Sequence, residues 1–252
     1  MTIQYCSDLH LEFYENRKFI LANPLKPKGE ILILAGDICH FSDYYFKLSF
    51  FDQVSRDFDL VLMIPGNHEF YGGKDLNITR EPFKVQIREN VWLCNNETIE
   101  HRGVKFILTT LWSMISMKNS QIISHYMSDF RFIHLDNKII KTADYNHLHQ
   151  RAVQFLERAL GEGHDKKVVV THHLPSNACN AQEFVGSAIN EAFCVDLTDT
   201  IERCNAKYWI YGHSHRNMPN IDINGTVLIT NQLGYLSHNE HLTFKQEAIF
   251  SI

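Results

Sequence analysis

The stretch Ile31-Leu32-Ile33-Leu34-Ala35-Gly36-Asp37 is five apolar residues, a glycine and a carboxylate. An apolar run of that length, closed by a turn signal, reads as a strand buried on both faces. A carboxylate placed where such a strand runs out lies at the sheet edge where open α/β proteins build their sites. The glycine before it lets the backbone pass close to an ion. The same grammar recurs on both sides. Leu60–Ile64 leads into Gly66-Asn67-His68-Glu69, Val168–Thr171 into His172-His173, and Tyr208–Tyr211 into Gly212-His213-Ser214-His215. Upstream, the shorter run Thr2–Cys6 leads into Asp8-Leu9-His10.

Asp8, Asp37 and Asn67 follow one another at about 30 residues, the length of a βαβ unit. Each unit would return the next polar residue to the same sheet edge. Helical spacing supports the alternation: Phe46, Phe50, Phe51, Val54 and Phe58 fall near one face between Ser42 and Phe58, and a second helix is expected from Ala143 to Leu160, with Gly161 as its stop. A short helix is expected over Asp199–Cys204, strands over Lys105–Thr109 and Val227–Thr230, and an edge strand within Phe244–Ile252. Strands alternating with helices indicate α/β layering. The segment between Asn67 and His172 is too long for one crossover. It must hold an inserted helix-loop region, a second set of strands, or both. Within it Trp112–Asp136 is polar, Met-rich and weakly periodic, and reads as a loop region near the site.

With 252 residues, 44% of them apolar, the chain can bury one sizeable core, and one domain over residues 1–252 is expected. A net charge of −5 with no basic run argues against dedicated binding of duplex nucleic acid. No apolar run approaches membrane-spanning length, and no charged segment precedes an apolar one at the start. A cytoplasmic protein without membrane association is the expectation, with its oligomeric state unspecified. The six cysteines form no CxxC pair and read as reduced thiols partly in the core.

Collected at one edge, Asp8, Asp37, Asn67, His10, His172, His213 and His215 offer two carboxylates, an amide oxygen and four imidazoles. That is a ligand set for two divalent ions about 3.5–4 Å apart. Asp8 and His10 are two apart, so an extended backbone would project both from one face, and His215 repeats that spacing after His213. Asp37, with two oxygens, is the candidate bridge; a helix N-cap is its alternative use, but the next helix begins nearer Ser42. Asn67 can ligate without adding charge, and His68 would point into the cleft beside the ions. Glu69 and His173 are candidate partners of the ligands, but His173 alternates away from His172 on a strand, which favours a structural role. Cys39 could line the pocket, and His40, Asp43, His125 and His134 could touch substrate. Mixed oxygen and imidazole donors suit Mn, Fe or Zn, and also Co or Ni. No cysteine joins the set, which argues against a structural zinc site.

Read in order, the pieces are D-x-H, G-D, G-N-H-[DE], a histidine at a strand end, and G-H-x-H. This order, running from residue 8 to residue 215, resembles the calcineurin-like metallophosphoesterase superfamily. The resemblance implies an α/β fold that is a four-layered αββα sandwich, two mixed β-sheets with helices outside, carrying a dinuclear site at its top. It implies Asp8, His10, Asp37 and His215 on one ion, Asp37, Asn67, His172 and His213 on the other, and His68 as the catalytic histidine. Ser7-Asp8-Leu9-His10-Leu11-Glu12, Leu111-Trp112-Ser113 and Asn231-Gln232-Leu233-Gly234-Tyr235 look like an uncharacterised bacterial-type branch. That branch is expected to carry N-P-R-G-Y in the last piece. Here Gln232 and Leu233 replace the proline and arginine, so a substrate contact through that arginine is not expected.

The function implied is a metal-dependent phosphoester hydrolase. A hydroxide held between the ions would attack in line, without a phosphoenzyme, while His68 protonates the leaving oxygen. Two divalent ions, two aspartates and a hydroxide leave a local charge of about +1 although the whole chain is negative, and local charge decides what binds. The expected partner is a small phosphoester, by preference a phosphodiester among small nucleotides, with a phosphomonoester as the alternative. A non-catalytic scaffold of the same fold would have lost ligands or the acid histidine, and every one is present. A DNA nuclease would need a basic surface. A protein Ser/Thr phosphatase would carry G-D-x-V-D-R-G, whereas Gly36-Asp37-Ile38-Cys39-His40-Phe41-Ser42 lacks the arginine.

Overall fold

The computed structural model describes residues 1–252. Its first sheet combines β1 (Thr2–Cys6), β2 (Ile31–Ala35), β3 (Leu60–Ile64), β4 (Phe83–Arg88), β5 (Val91–Asn95) and β14 (Ile249–Ser251) in the order β14-β1-β2-β3-β5-β4. The second combines β6 (Glu97–His101), β7 (Val104–Leu108), β10 (Lys167–Val170), β11 (Tyr208–Ile210), β12 (Ile221–Ile223) and β13 (Thr226–Ile229) in the order β12-β13-β11-β10-β7-β6. In each, the central strands are parallel and both edge strands antiparallel. A two-residue hairpin, β8 (His134–Leu135) with β9 (Lys138–Ile139), stands apart. The helices are α1 (Tyr14–Ala22), α2 (Asp43–Phe46), α3 (Ser49–Asp57), α4 (Ser120–Tyr126), α5 (Asp129–Phe132), α6 (Thr142–Gly161) and α7 (Thr198–Arg203).

Strand parity fixes the layers. Along β2, Ile31, Ile33 and Ala35 face the second sheet and pack with Phe106, Leu108, Val168, Val170 and Ile210. Leu32 and Leu34 face the other way, onto Phe50, Phe51 and Val54 of α3 and Ile20 of α1. In the second sheet Val169 of β10 and Trp209 of β11 turn outward to Ala152, Phe155, Leu156 and Ala159 of α6 and Ile201 of α7. Both faces of both sheets are therefore covered, which is why their parallel strands read as unbroken apolar runs. The result is the αββα sandwich expected from the sequence, with two mixed six-stranded sheets.

The region between Asn67 and His172 holds both an inserted helical part and a second set of strands. Strand β4 reads Phe-Lys-Val-Gln-Ile-Arg, a period-two pattern suited to an edge strand with one wet face. The helix expected over Ser42–Phe58 is broken in two, because Leu48 is extended (φ −60°, ψ 142°) and turns its side chain onto the core between α2 and α3. Trp112–Asp136 is not a plain loop: it folds as α4 and α5, and Ile123, Phe130 and Ile133 anchor it on Phe70, Trp112 and Tyr145. All six cysteines are free and buried. No helix is long and apolar enough to cross a membrane.

Candidate metal centre

Parallel strands of both sheets run out at one edge, and the polar pieces meet there. The first sheet brings Asp8 and His10 after β1, Asp37 after β2, and Asn67 and His68 after β3. The second brings His172 after β10 and His213 and His215 after β11. Two clusters form, Asp8 with His10 and His215, and Asp37 with His172 and His213. They meet at one atom. Asp37 Oδ2 lies 3.9 Å from His10 Nε2 and 3.3 Å from His172 Nε2. Its other oxygen is already used, accepting the His68 main-chain N–H at 2.9 Å. In the first cluster His215 Nε2 is 3.0 Å from His10 Nε2 and 3.4 Å from Asp8 Oδ1.

The backbone that presents these groups is not extended, as the Asp8–His10 spacing suggested. Asp8 (φ 56°), His10 (φ 48°), Asp37 (φ 53°), His213 (φ 74°) and His215 (φ 52°) are all left-handed. That region is costly for residues with a Cβ, and its concentration here marks strain held by the surrounding fold. Tight turns let the chain leave a strand and fold its side chains back over the sheet edge. Gly66 serves the same end, since a Cβ there would stand 2.1 Å from Asp37 Oδ1.

Buried partners aim the ligand atoms. His172 Nδ1 faces the Ala35 carbonyl at 2.9 Å, His10 Nδ1 faces Glu12 at 2.9 Å, and His215 Nδ1 faces Glu240 at 2.7 Å, so in each ring the far nitrogen points inward. Asn67 Nδ2 donates to the Tyr71 hydroxyl at 3.1 Å, which leaves its carbonyl oxygen free of protein partners. Asn67 Oδ1 and His213 Nε2 are buried and have no hydrogen-bond partner, and His172 Nε2 meets only Asp37 Oδ2, at 3.3 Å. Each such orphan costs about 1–3 kcal/mol. A cation bound beside the buried Asp37 carboxylate would give the unpartnered Asn67 and His213 atoms a partner. The donors and their orphaned atoms thus fit a pair of divalent ions.

The protonation pattern agrees. Burial lowers the pKa of His172, but Asp37 and Asp8 override it and raise the value to about 9. His215 behaves alike: burial lowers it, while Asp8 and Glu240 lift it to about 10. For His213, burial together with His173 and His172 outweighs the nearby Asp37 and holds it well below the usual imidazole range.

Around the clusters lies a cavity of about 610 Å³ that His68, Asn67, His213 and His215 line. His68 enters it between two partners: its Nδ1 lies 2.9 Å from Glu12 Oε1, and its Nε2 lies 3.1 Å from the Tyr235 hydroxyl. Tyr71 stacks on its ring, with centroids 4.2 Å apart and planes 29° apart. Burial lowers its pKa, yet Asp37 and Glu12 prevail and raise it. Glu69 points away from the cavity. Its carboxylate accepts main-chain N–H groups from Asp37 (3.0 Å), Ile38 (2.8 Å) and Gly66 (2.6 Å), locking the two ligand turns together. His173 is buried against Tyr145 (2.8 Å) and is structural. Cys39 is wholly buried in the apolar core and does not line the cavity. His40 lines it, whereas Asp43, His125 and His134 do not.

Sequence reading missed Glu12, Glu240 and Asp129 as site residues. Glu12 carried a signal, two residues past His10. Glu240 and Asp129 carried none, because tertiary contact alone brings them in. Asp129 is fully buried and holds the Tyr71 hydroxyl at 3.4 Å, behind Asn67.

Comparison with known proteins places this arrangement. A protein of Acanthamoeba polyphaga mimivirus, uncharacterized protein L509, is 32% identical over 264 residues, covering 95% of this chain and 92% of the viral one. Among solved structures, the phosphopantetheinyl hydrolase PptH of Mycobacterium tuberculosis is similar in fold, with a TM-score of 0.68 and 20% identity, covering 93% of this chain and 89% of that one. Residues 1–217 match the calcineurin-like phosphoesterase family, a span that contains every strand-end piece from Asp8 to His215. The chain belongs to that family of metal-dependent phosphoester hydrolases.

Proposed function

We propose that this protein hydrolyses small phosphodiesters, nucleotides among them, at a dinuclear centre. Asp8, His10, Asp37 and His215 would hold one divalent ion, and Asp37, Asn67, His172 and His213 the other, with Mn, Fe or Zn the best matched to the donors. The observation that carries the reading is Asp37 Oδ2, which faces both clusters while the buried Asn67 Oδ1 and His213 Nε2 stand unpartnered. Bound there, divalent ions polarise a phosphoryl oxygen and bring the pKa of water toward neutrality.

The chain's own groups do the rest. His68, paired to Glu12 through Nδ1, presents Nε2 toward the cavity and Tyr235, where it can protonate a departing alkoxide. Asp37 and Glu12 raise its pKa against the effect of burial, in the direction that favours the protonated form the role requires. Asp129 and Tyr71 hold the Asn67 amide so that the oxygen, rather than the nitrogen, faces the centre. Turnover of bis-p-nitrophenyl phosphate against p-nitrophenyl phosphate in Mn²⁺ tests the reading. The expected result is a preference for the diester. Preference for the monoester would make the protein a phosphatase instead, and silence on both with metal bound would remove the catalytic assignment.

A further inference from the structure

The metal centre explains the floor of the cavity but leaves its walls unaccounted for. None of the 17 residues that line it is lysine or arginine. The charged side chains there besides the histidines are the carboxylates Glu12 and Glu240. Arg216 follows His215 directly, yet its guanidinium is engaged by Glu183 at 2.6 Å and by Glu240 at 3.3 Å, and it lies over the Phe184 ring at 5.3 Å. Leu233 is completely buried, so no cation comes from that turn either. Among the lining residues, positive charge is therefore confined to the floor.

The walls are aromatic instead. Tyr71, stacked on His68, meets Phe132 at 5.4 Å between centroids, and Phe132 remains 50% exposed. Phe193 lies against His213 at 4.7 Å, with Phe184 also on the lining. Phe13, 44% exposed, stands 6.3 Å from the His68 ring. Half-exposed rings beside a polar floor suit a flat apolar guest that stacks on them and displaces water.

We infer that the cavity takes a phosphoester whose non-leaving substituent is a planar aromatic group and carries no negative charge beyond the reacting phosphoryl group. Tyr71, Phe132, Phe184 and Phe193 would receive that substituent. Nucleoside di- and triphosphates and bisphosphates are excluded, because a second phosphate would lie among aromatic rings and carboxylates without a counter-ion. The inference rests on the phosphoester reading above and adds the chemistry of the substrate's far end.

Three diesters sharing a p-nitrophenolate leaving group separate the two ideas: the methyl, phenyl and 4-carboxyphenyl p-nitrophenyl phosphates, assayed with the Mn²⁺-loaded protein. Corrected for uncatalysed rates, kcat/KM for the phenyl ester should exceed both others by about tenfold or more, the scale of one stacked ring. Phe132→Ala and Phe184→Ala, each checked for an unchanged melting curve, should narrow the phenyl-to-methyl ratio toward about threefold. Diphenyl phosphate should likewise inhibit at lower concentration than dimethyl phosphate. Equal turnover of phenyl and methyl esters, or a carboxyphenyl ester as good as the phenyl, overturns the inference and leaves the hydrolase intact. No turnover of any ester by protein that has bound Mn²⁺ overturns the hydrolase reading itself, and the inference with it.

Discussion

The floor and the walls of the cavity are built by different means. The floor comes from strand ends: Asp8, Asp37, Asn67, His172, His213 and His215 each sit within five residues of the end of a parallel strand. The walls come from connections. Phe132 belongs to the inserted α4–α5 region, Phe184 and Phe193 to the irregular stretch between β10 and α7, and Tyr235 to the turn after β13. The contrast separates chemistry from selectivity. A rigid sandwich fixes the donor atoms, and loops that a sheet edge tolerates in many lengths decide what lies against them.

Substitutions can break that division in order of severity. Asp37→Ala attacks the point where both clusters join, and turnover should fall by about 10⁴-fold or more on every ester, since the groups that depend on Asp37 act as a unit. Initial rates at saturating Mn²⁺ check it. His68→Ala should lose about 10²–10⁴ in kcat while metal content, read by elemental analysis, stays at the wild-type level; loss of metal together with rate would make His68 a ligand rather than an acid. Glu12→Gln and Asp129→Asn touch only the groups that aim the site. Each should cost about 10–100-fold in metal affinity or rate, Glu12→Gln in both, through His10 and through His68, and Asp129→Asn chiefly in affinity through Asn67. Mn²⁺ titrations followed by calorimetry, set beside kcat, distinguish the two.

The smallest effect lies outside the site. His149 of α6 is buried with its Nδ1 near the Leu111 carbonyl at 3.2 Å, and burial holds its pKa below the ordinary value of 6.5. Below that pH the unfolded chain takes up a proton that the folded one refuses, so stability present above about pH 6.5 is lost as pH falls, by at most about 1.4 kcal/mol per unit. Urea unfolding from pH 7 to pH 5 should be less pH-dependent in His149→Gln than in the wild type. An identical slope would place the ring in water.

The same contrast explains what the sequence made legible. Buried strands announce themselves by apolar runs, and a glycine, carboxylate or histidine directly after such a run is uncommon enough to be noticed; Asp37 after Ile31–Ala35 is the clearest case. The α/β alternation followed from the same runs, whereas the four-layered sandwich came from the family resemblance. Edge strand β4 also carried its signal, the alternation Phe83, Val85, Ile87, but its charged partners Lys84 and Arg88 masked it. The left-handed turns at Asp8 and His10 were illegible, because nothing in those residue types demands a positive φ; the packing of both sheets imposes it. Glu240 and Phe193 were illegible for a related reason, since their roles exist only once distant loops have been folded over the sheet edge. Leu48 broke a helix that its neighbours' periodicity favoured, a tertiary contact overriding local preference.

The account stands on one pair of cations sharing the Asp37 carboxylate. Equilibrium dialysis against Mn²⁺, followed by elemental analysis of wild type and Asp37→Ala, measures that directly. The expected result is two ions per wild-type chain and a loss of both from the variant. A wild type that retains none, or an Asp37→Ala protein that still holds two, would contradict it.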